Sequence, residues 1–200
     1  MIEHNNFKQG SLEWLSFKLG KIGGTRLKDI YKSDNLTLVD EIIAELGSGE
    51  IEESYVTAAM QRGTDLEPYV RDLFQELHRI VIDEVGICQH DSLPYLVCSP
   101  DGFSQDRTIG IEIKCPNTKA HVKTIRQGAI PNEYKYQVIN YFLVNEKCEK
   151  VYFISFDDRY KPKPYFEIVA NRSDYNLETE ITCLKNFWQK VEKYLNIVNK

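Results

Sequence analysis

Cys98-Ser99-Pro100-Asp101-Gly102-Phe103, a short polar turn, and then Ile109-Gly110-Ile111-Glu112-Ile113-Lys114-Cys115-Pro116 form the stretch that decides the reading of this chain. From Ile109 the residues alternate, with Ile109, Ile111 and Ile113 on one side and Gly110, Glu112 and Lys114 on the other. A period of two is that of a strand with one face in the core. Glu112 and Lys114 therefore share the opposite face. Leu93 to Ser99 also reads as a strand, and Ser104 to Thr108 is turn material. A hairpin folding at that turn returns Asp101 to the end of the 109–115 strand. Asp101, Glu112 and Lys114 then converge as two hard oxygen ligands for a divalent metal, with an ammonium beside them.

That grouping suits phosphodiester hydrolysis. Carboxylates bind Mg²⁺, which polarises a phosphoryl oxygen and lowers the pKa of a bound water. A lysine beside them orients that water or stabilises charge in the transition state. The plainer alternative is a surface hairpin carrying a solvated Glu–Lys pair. Pro100-Asp101-Gly102, a short distance upstream, weighs against it, and the combination resembles the PD-(D/E)xK nuclease signature.

The whole chain bounds this reading. Two hundred residues at 42% hydrophobic content suit one globular domain, 1–200, with a sizeable core. No apolar run approaches the ~18 residues of a membrane span. The opening Met1-Ile2-Glu3-His4-Asn5-Asn6 lacks a basic-then-apolar signal pattern, so a cytoplasmic protein is expected. Five cysteines (88, 98, 115, 148 and 183) stand apart without a Cys-x-x-Cys pair, which reads as reduced, mostly buried thiols. The same scatter argues against an iron–sulfur or zinc centre. A formal net charge of −5 argues against a broad DNA-wrapping surface and leaves a narrow basic channel open.

Before the decisive stretch the pattern is helical. Residues 11–20 place apolar side chains at 12, 15 and 19, widened by Trp14 and Phe17, with Ser11 as N-cap and Gly20 as stop. Lys21 to Arg26 is a glycine-rich segment opening a short helix, Leu27 to Tyr31. It reads as a turn rather than a phosphate site. Residues 38–46 are helical, and a longer helical region covers about 52–78. Thr64 and Glu67 fit a capping box, and Pro68 predicts a restart or bend there. Strands are expected at 80–89, 93–99, 109–115, 151–156 and 165–170, and helices at 119–127, 133–145 and 174–197. Lys119, Lys123 and Arg126 make a basic stripe at helical spacing, either a solvated face or a track for phosphates. The order of elements gives an α/β fold, a central mixed sheet flanked by helices.

In sequence order, five short motifs resemble the lambda-type phage exonucleases, also called the YqaJ-like viral recombinases. They are Trp14-Leu15 with Lys18-Leu19-Gly20, Ile22 and Thr25; Met60 with Arg62-Gly63 and Glu67-Pro68; Ser99-Pro100-Asp101-Gly102; Glu112-Ile113-Lys114-Cys115-Pro116; and Tyr136-Gln137-Val138. The resemblance covers about residues 11–156 and fades beyond. It implies a restriction-endonuclease-like PD-(D/E)xK core with Asp101, Glu112 and Lys114 at its centre. Glu67 and Ile113 join Asp101 and Glu112 as metal ligands for Mg²⁺, with Mn²⁺ as a substitute and two ions in the site. Lys18 takes the place of the arginine that holds the 5′-phosphate of a DNA end, but without its bidentate fork. Thr25 replaces a phosphate-contacting serine. Ser99 faces the scissile phosphate, and Asp91 matches a further family acid. Where the family often has Gln-x-Gln, this chain has Gln137-Val138-Ile139, so Gln137 alone is the candidate there.

The implied activity is degradation of one strand of linear duplex DNA from its 5′ end, leaving a 3′ overhang for a single-strand annealing protein. The implied assembly is a ring-shaped homotrimer threading DNA in the cytoplasm of a phage's host. A restriction- or repair-type endonuclease on the same core, and a non-catalytic DNA-binding or assembly protein, are the alternatives. The intact acid–acid–lysine set speaks against the last.

Overall fold

A computed structural model describes residues 1–51 and 57–200. The start of the helical region expected from about residue 52 lies, over 52–56, outside the described residues. Strands β1 (Ile2–Glu3), β2 (Ile82–Asp83), β3 (Cys88–Gln89), β4 (Val97–Cys98), β5 (Gly102–Ser104), β6 (Ile109–Lys114), β7 (Lys150–Phe156) and β8 (Tyr165–Asn171) form two sheets. The larger is mixed, in the order β2-β5-β6-β7-β8, and the smaller runs β1-β3-β4. The helices are α1 (Leu12–Lys18), α2 (Gly24–Leu27), α3 (Leu36–Ser48), α4 (Ala58–His78), α5 (Thr118–Gln127), α6 (Asn132–Val144) and α7 (Leu177–Val198). The fold is α/β, as the element order predicts.

β6 lies at the centre of the larger sheet, antiparallel to β5 and parallel to β7. A parallel pair needs a crossover, and here α5 and α6 supply it, which lays helix across the sheet. Both faces of β6 are consequently buried, where the alternation predicts one solvated face. Ile111 and Ile113 pack with Val70 and Phe74 of α4 and with Ile154 and Phe156. On the other side Tyr141 of α6, Phe103, Val151 and Phe153 belong to the main core, which α7 closes with Leu184, Phe187 and Val191. The Tyr95 and Trp188 rings stack at 4.0 Å between centroids and tie α7 to the body.

Three local expectations are corrected. The partner of β6 in the hairpin is β5, immediately after Asp101, and not the 93–99 segment. Of that segment only Val97–Cys98 is a strand, and it belongs to the smaller sheet. Likewise 80–89 splits into β2 and β3, one in each sheet. Alternation cannot distinguish one strand from two, because pairing partners lie far off in sequence.

The second correction is at Pro68. α4 runs through it without interruption, capped by the Thr57 hydroxyl accepting from the Met60 amide. Thr64 is mid-helix, its hydroxyl donating to the Met60 carbonyl at 3.3 Å, so the capping box does not form. Proline leaves the carbonyl four residues back without a helical donor. Thr64 is exposed, where water can serve that carbonyl.

Third, α1 buries none of its residues completely and Leu12 is exposed. Instead the Trp14 indole donates to the Gly86 carbonyl, and Phe17 packs on the rings of His4 and Phe7. The short helix after the glycines starts at Gly24 rather than Leu27. A Cβ at Gly24 would stand 2.9 Å from the Gln137 Cα, so this glycine lets α2 close onto α6.

Gly110 carries the corresponding close approach on β6, since a Cβ there would lie 2.5 Å from Tyr141 Cδ1. The tyrosine cannot retreat, because its hydroxyl is bonded twice in the core. Gly110→Ala should therefore cost about 1–3 kcal/mol by overpacking. Calorimetry should show a Tm lower by roughly 2–4 °C for each kcal/mol. An unchanged Tm would mean that α6 rides more loosely on β6 than these bonds require.

Candidate active site

Asp101 sits at the turn into β5, and each of its polar groups is held. Its Oδ2 accepts from the Ile113 amide at 2.6 Å, its own amide donates to the Tyr141 hydroxyl at 2.9 Å, and its carbonyl accepts from Arg71 Nε at 2.9 Å. The Tyr141 hydroxyl in turn donates to the Ile111 carbonyl at 2.6 Å. These bonds bring the carboxyl of Asp101 against β6, where Glu112 is 4% exposed. Lys114 Nζ forms an ion pair with Glu112 Oε1 and lies 5.5 Å from the centre of the Tyr134 ring. The three residues read from the sequence do meet, with Lys114 itself about three-quarters buried rather than on an open face.

Glu67 reaches the same region from α4. Its Oε1 accepts from Arg71 at 2.7 Å, and Arg71 donates a further bond to Glu84 at 3.0 Å. Arg71 is buried and links Glu67, Glu84 and the Asp101 backbone. It and Tyr141 are the residues the sequence reading missed. Arg71 stands one helical turn after Glu67, a readable acid–base spacing. For Tyr141 no local pattern marks the role, which exists only once α6 crosses β6.

The electrostatics reflect burial of like charges. Burial, then the charge of Glu112, pushes the Asp101 carboxyl well above its usual range. Burial also raises Glu67, against the lowering influence of Arg71. For Lys114, burial favours the neutral form, but Glu112 and Asp101 outweigh it and its pKa is raised.

Lys18, Thr25, Ser99, Asp101, Glu112 and Lys114 line one cavity of about 180 Å³, and Gln137 borders it from α6. Lys18 Nζ stands 3.7 Å over the Trp14 ring. Burial, aided by the charge of Arg26, lowers its pKa to about 8. The Ser99 hydroxyl and the Asn140 Oδ1 on this wall are buried and have no protein partner, an uncommon state for buried polar atoms. Ile113 gives its amide to Asp101 and borders a neighbouring cavity with Glu67 and Lys114.

Other expected residues lie elsewhere. Asp91 is exposed, pairs with the N-terminal amine, and is not on the cavity wall. Lys119 and Arg126 are exposed on α5, and Lys123 of the basic stripe borders a cavity with Lys114. His121, close to that stripe in sequence, is fully buried and bonded to Ser155 Oγ and the Lys163 carbonyl, each at 2.8 Å.

Among the described residues no three His, Cys, Asp or Glu side chains form a ready-made metal cage. The oxygen donors are Asp101 and Glu112, with Glu67 tied to Arg71. Mg²⁺ is characteristically held by one or two carboxylates together with waters and substrate phosphates, so this sparse set suits it. A dication would also offset the repulsion between Asp101 and Glu112.

Residues 13–147 match the model of the YqaJ-like viral recombinase domain, well over half of the chain. The chain belongs to the YqaJ-like viral recombinase family. The chain is similar in structure to an alkaline exonuclease, LHK-Exo, from Laribacter hongkongensis. The TM-score is 0.85 at 30% identity, over 94% of this chain and 96% of that one. The figures are the same for LHK-Exo in complex with dAMP. A phage-related exonuclease from Haemophilus somnus 129PT shares the fold, at TM-score 0.60 and 15% identity over 89% of this chain and 94% of that one. No curated protein matches the chain by sequence. The family is the one that the motifs resemble.

Asp101 is costly to the metal-free protein, because its charge is buried beside Glu112. Its folded pKa lies above the unfolded one, so stability is lost as pH rises above about 4 toward the folded pKa. Asp101→Asn keeps an acceptor for the Ile113 amide and removes the charge. In chelator at pH 7.5 its Tm should exceed that of wild type by roughly 2–4 °C, for a gain near 1 kcal/mol. At pH 4 the difference should shrink. A lower Tm at both pH values would show that Asp101 is stabilising as an anion.

Proposed function

We propose that residues 1–200 act as one nuclease domain that degrades one strand of linear duplex DNA from 5′ to 3′. The 3′ single strand left behind is the substrate of an annealing protein in recombination. The observation that carries this reading is the meeting of Asp101, Glu112 and Lys114 in a cavity that also holds Lys18 and Thr25. It is supported by 30% identity, over nearly the full length, to a protein that is an alkaline exonuclease. A homotrimeric ring around the duplex fits an acidic chain, since enclosure retains DNA without a broad basic surface.

Asp101 and Glu112, with Glu67 and the backbone of Ile113, would hold the divalent cations, Mg²⁺ or Mn²⁺, two ions in all. A bound cation would supply Lewis-acid chemistry toward the scissile phosphoryl oxygen and toward a nucleophilic water. Lys114, kept protonated by Glu112 and Asp101, stabilises negative charge growing on the phosphoryl oxygens. Lys18 and Thr25 hold the terminal 5′-phosphate, and Ser99 donates its otherwise unpaired hydroxyl to the scissile phosphate. Gln137 orients the nucleophilic water. Arg71 keeps Glu67 and the Asp101 backbone in place. The deciding experiment is digestion of an end-labelled linear duplex with Mg²⁺, beside a closed circular duplex. Release of 5′-terminal label with an intact circle is expected, and cutting of the circle would establish an endonuclease instead.

Lys114→Ala should reduce kcat by on the order of 10²-fold or more, the scale for losing a charge aimed at the transition state. It should also lower the metal-free Tm, because Glu112 is left buried without its cation. Near-normal turnover would place the chemistry elsewhere.

The Lys18 pKa of about 8 makes end recognition depend on pH. In kcat/KM, which reports the free enzyme, the advantage of a 5′-phosphate over a 5′-hydroxyl should be full at pH 7 and decline above pH 8. A terminal phosphate is already a dianion throughout, its second pKa being about 6, so the decline belongs to the lysine. Lys18→Ala should abolish both the advantage and its pH dependence. An advantage that holds constant to pH 10 would assign the phosphate to another group.

A further inference from the structure

A cavity of about 690 Å³ lies against Lys114, bounded by α5, the 128–131 loop and the start of α6. We propose that it is the subsite for the nucleoside on the 3′ side of the bond being cleaved, an assignment that rests on the exonuclease reading above.

Connectivity comes first. Lys114 borders both this cavity and the smaller one that holds Lys18, Thr25, Asp101 and Glu112. A strand with its terminal phosphate at Lys18 and its scissile bond at Lys114 has used the smaller cavity for its first nucleotide. The second nucleotide must leave past Lys114, and this cavity opens there.

Size and chemistry agree with a nucleoside. Ligand cavities run from about 300 to 1,000 Å³, mostly apolar with a few placed polar groups. Ile130, Pro131, Tyr134 and Phe153 supply an apolar wall, and Gln127 and Asn132 supply two amides. Each amide both donates and accepts, so the pair can meet the edge of any base. That is what removal of successive nucleotides of any base would require. Lys123 stands at the same cavity for the following phosphate, whereas Glu133 makes its lining unfavourable for a phosphate lodged within.

The wall is also firmly built. Gly128 ends α5 in the left-handed conformation at φ 59°, its amide donating to the Thr124 carbonyl at 3.0 Å. The Tyr134 amide donates to the Pro131 carbonyl at 2.9 Å and starts α6. Tyr134 is braced on Phe153, with ring centres 5.5 Å apart.

The test uses 5′-phosphorylated linear duplexes in which an abasic residue replaces the first, second or third nucleotide from the 5′ end. Only the second position presents the base 3′ to the first bond cleaved. For wild type, kcat/KM of the first cleavage should fall about tenfold at position two, the worth of one or two ordinary hydrogen bonds. Two variants leave the residues at the scissile bond untouched: Ala129→Trp, which places a bulky ring on the cavity lining, and Gln127→Ala combined with Asn132→Ala, which removes its two amides. In both, the ratio of intact to abasic rate should approach one. Because the ratio is taken within each protein, a general loss of activity cancels. An abasic residue also eases unpairing of the duplex end, but that contribution is the same in every variant. No penalty at position two in wild type, or an equal penalty in wild type and both variants, overturns the assignment. A wild-type protein that releases no nucleotides from any duplex removes the exonuclease reading, and the subsite falls with it.

Discussion

The Tyr141 hydroxyl joins the two strands that carry the candidate site. It accepts the amide of Asp101 and donates to the carbonyl of Ile111, so one oxygen sets the turn before β5 against the middle of β6. Asp101 then closes the same corner with its carboxylate on the Ile113 amide. The remaining geometry depends on that corner. Glu112 and Lys114 stand on the face of β6 that looks toward α6, and the glycine at 110 exists because the tyrosine ring occupies the space beside it. Removing the corner would leave Glu112 and Lys114 on β6 and Asp101 before β5 without a reason to converge.

The corner is held against electrostatic cost. Two carboxylates share a buried pocket with one ammonium, and a third, Glu67, is neutralised by the guanidinium of Arg71. A folded chain tolerates such a deficit where the surrounding bonds over-determine the positions, as they do here. The cost has a use, because a binding site for a dication is an arrangement that is uncomfortable without one. Arg71 illustrates the balance: its fork spans Glu67, Glu84 and the Asp101 carbonyl, and a lysine would not reach all three.

A similar division runs down the other end of β6. Arg62 of α4 donates to the Cys115 carbonyl at 3.2 Å and to the buried Asp157 at 2.9 Å, and Arg159 and Thr118 also bond to Asp157. The strand therefore leaves the site under restraint on both sides, and Lys114 is the last residue before that anchor. The large cavity beyond it opens only because the crossover helices α5 and α6 are separated by a capped turn at Gly128.

Much of this was legible in the chain itself. The alternation from Ile109 to Lys114 identified a strand, Pro100-Asp101-Gly102 placed an acid within hairpin reach, and five ordered motifs resembled the family to which the chain belongs. Those signals are local, since side-chain period and short spacing survive without knowledge of the partners. Which segment pairs with β6, whether α4 breaks at Pro68 and whether Asp91 joins the site are not local questions. The hairpin closes on 102–104 in the register of β5 with β6, α4 passes Pro68 with the carbonyl it leaves without a donor on the exposed Thr64, and Asp91 pairs with the N-terminal amine. Burial of the second face of β6, and with it the charge state of Asp101 and Lys114, was decided only when the parallel crossover carried α6 over the strand. The reason is that desolvation depends on what covers a group, and the sequence names the group without naming its cover.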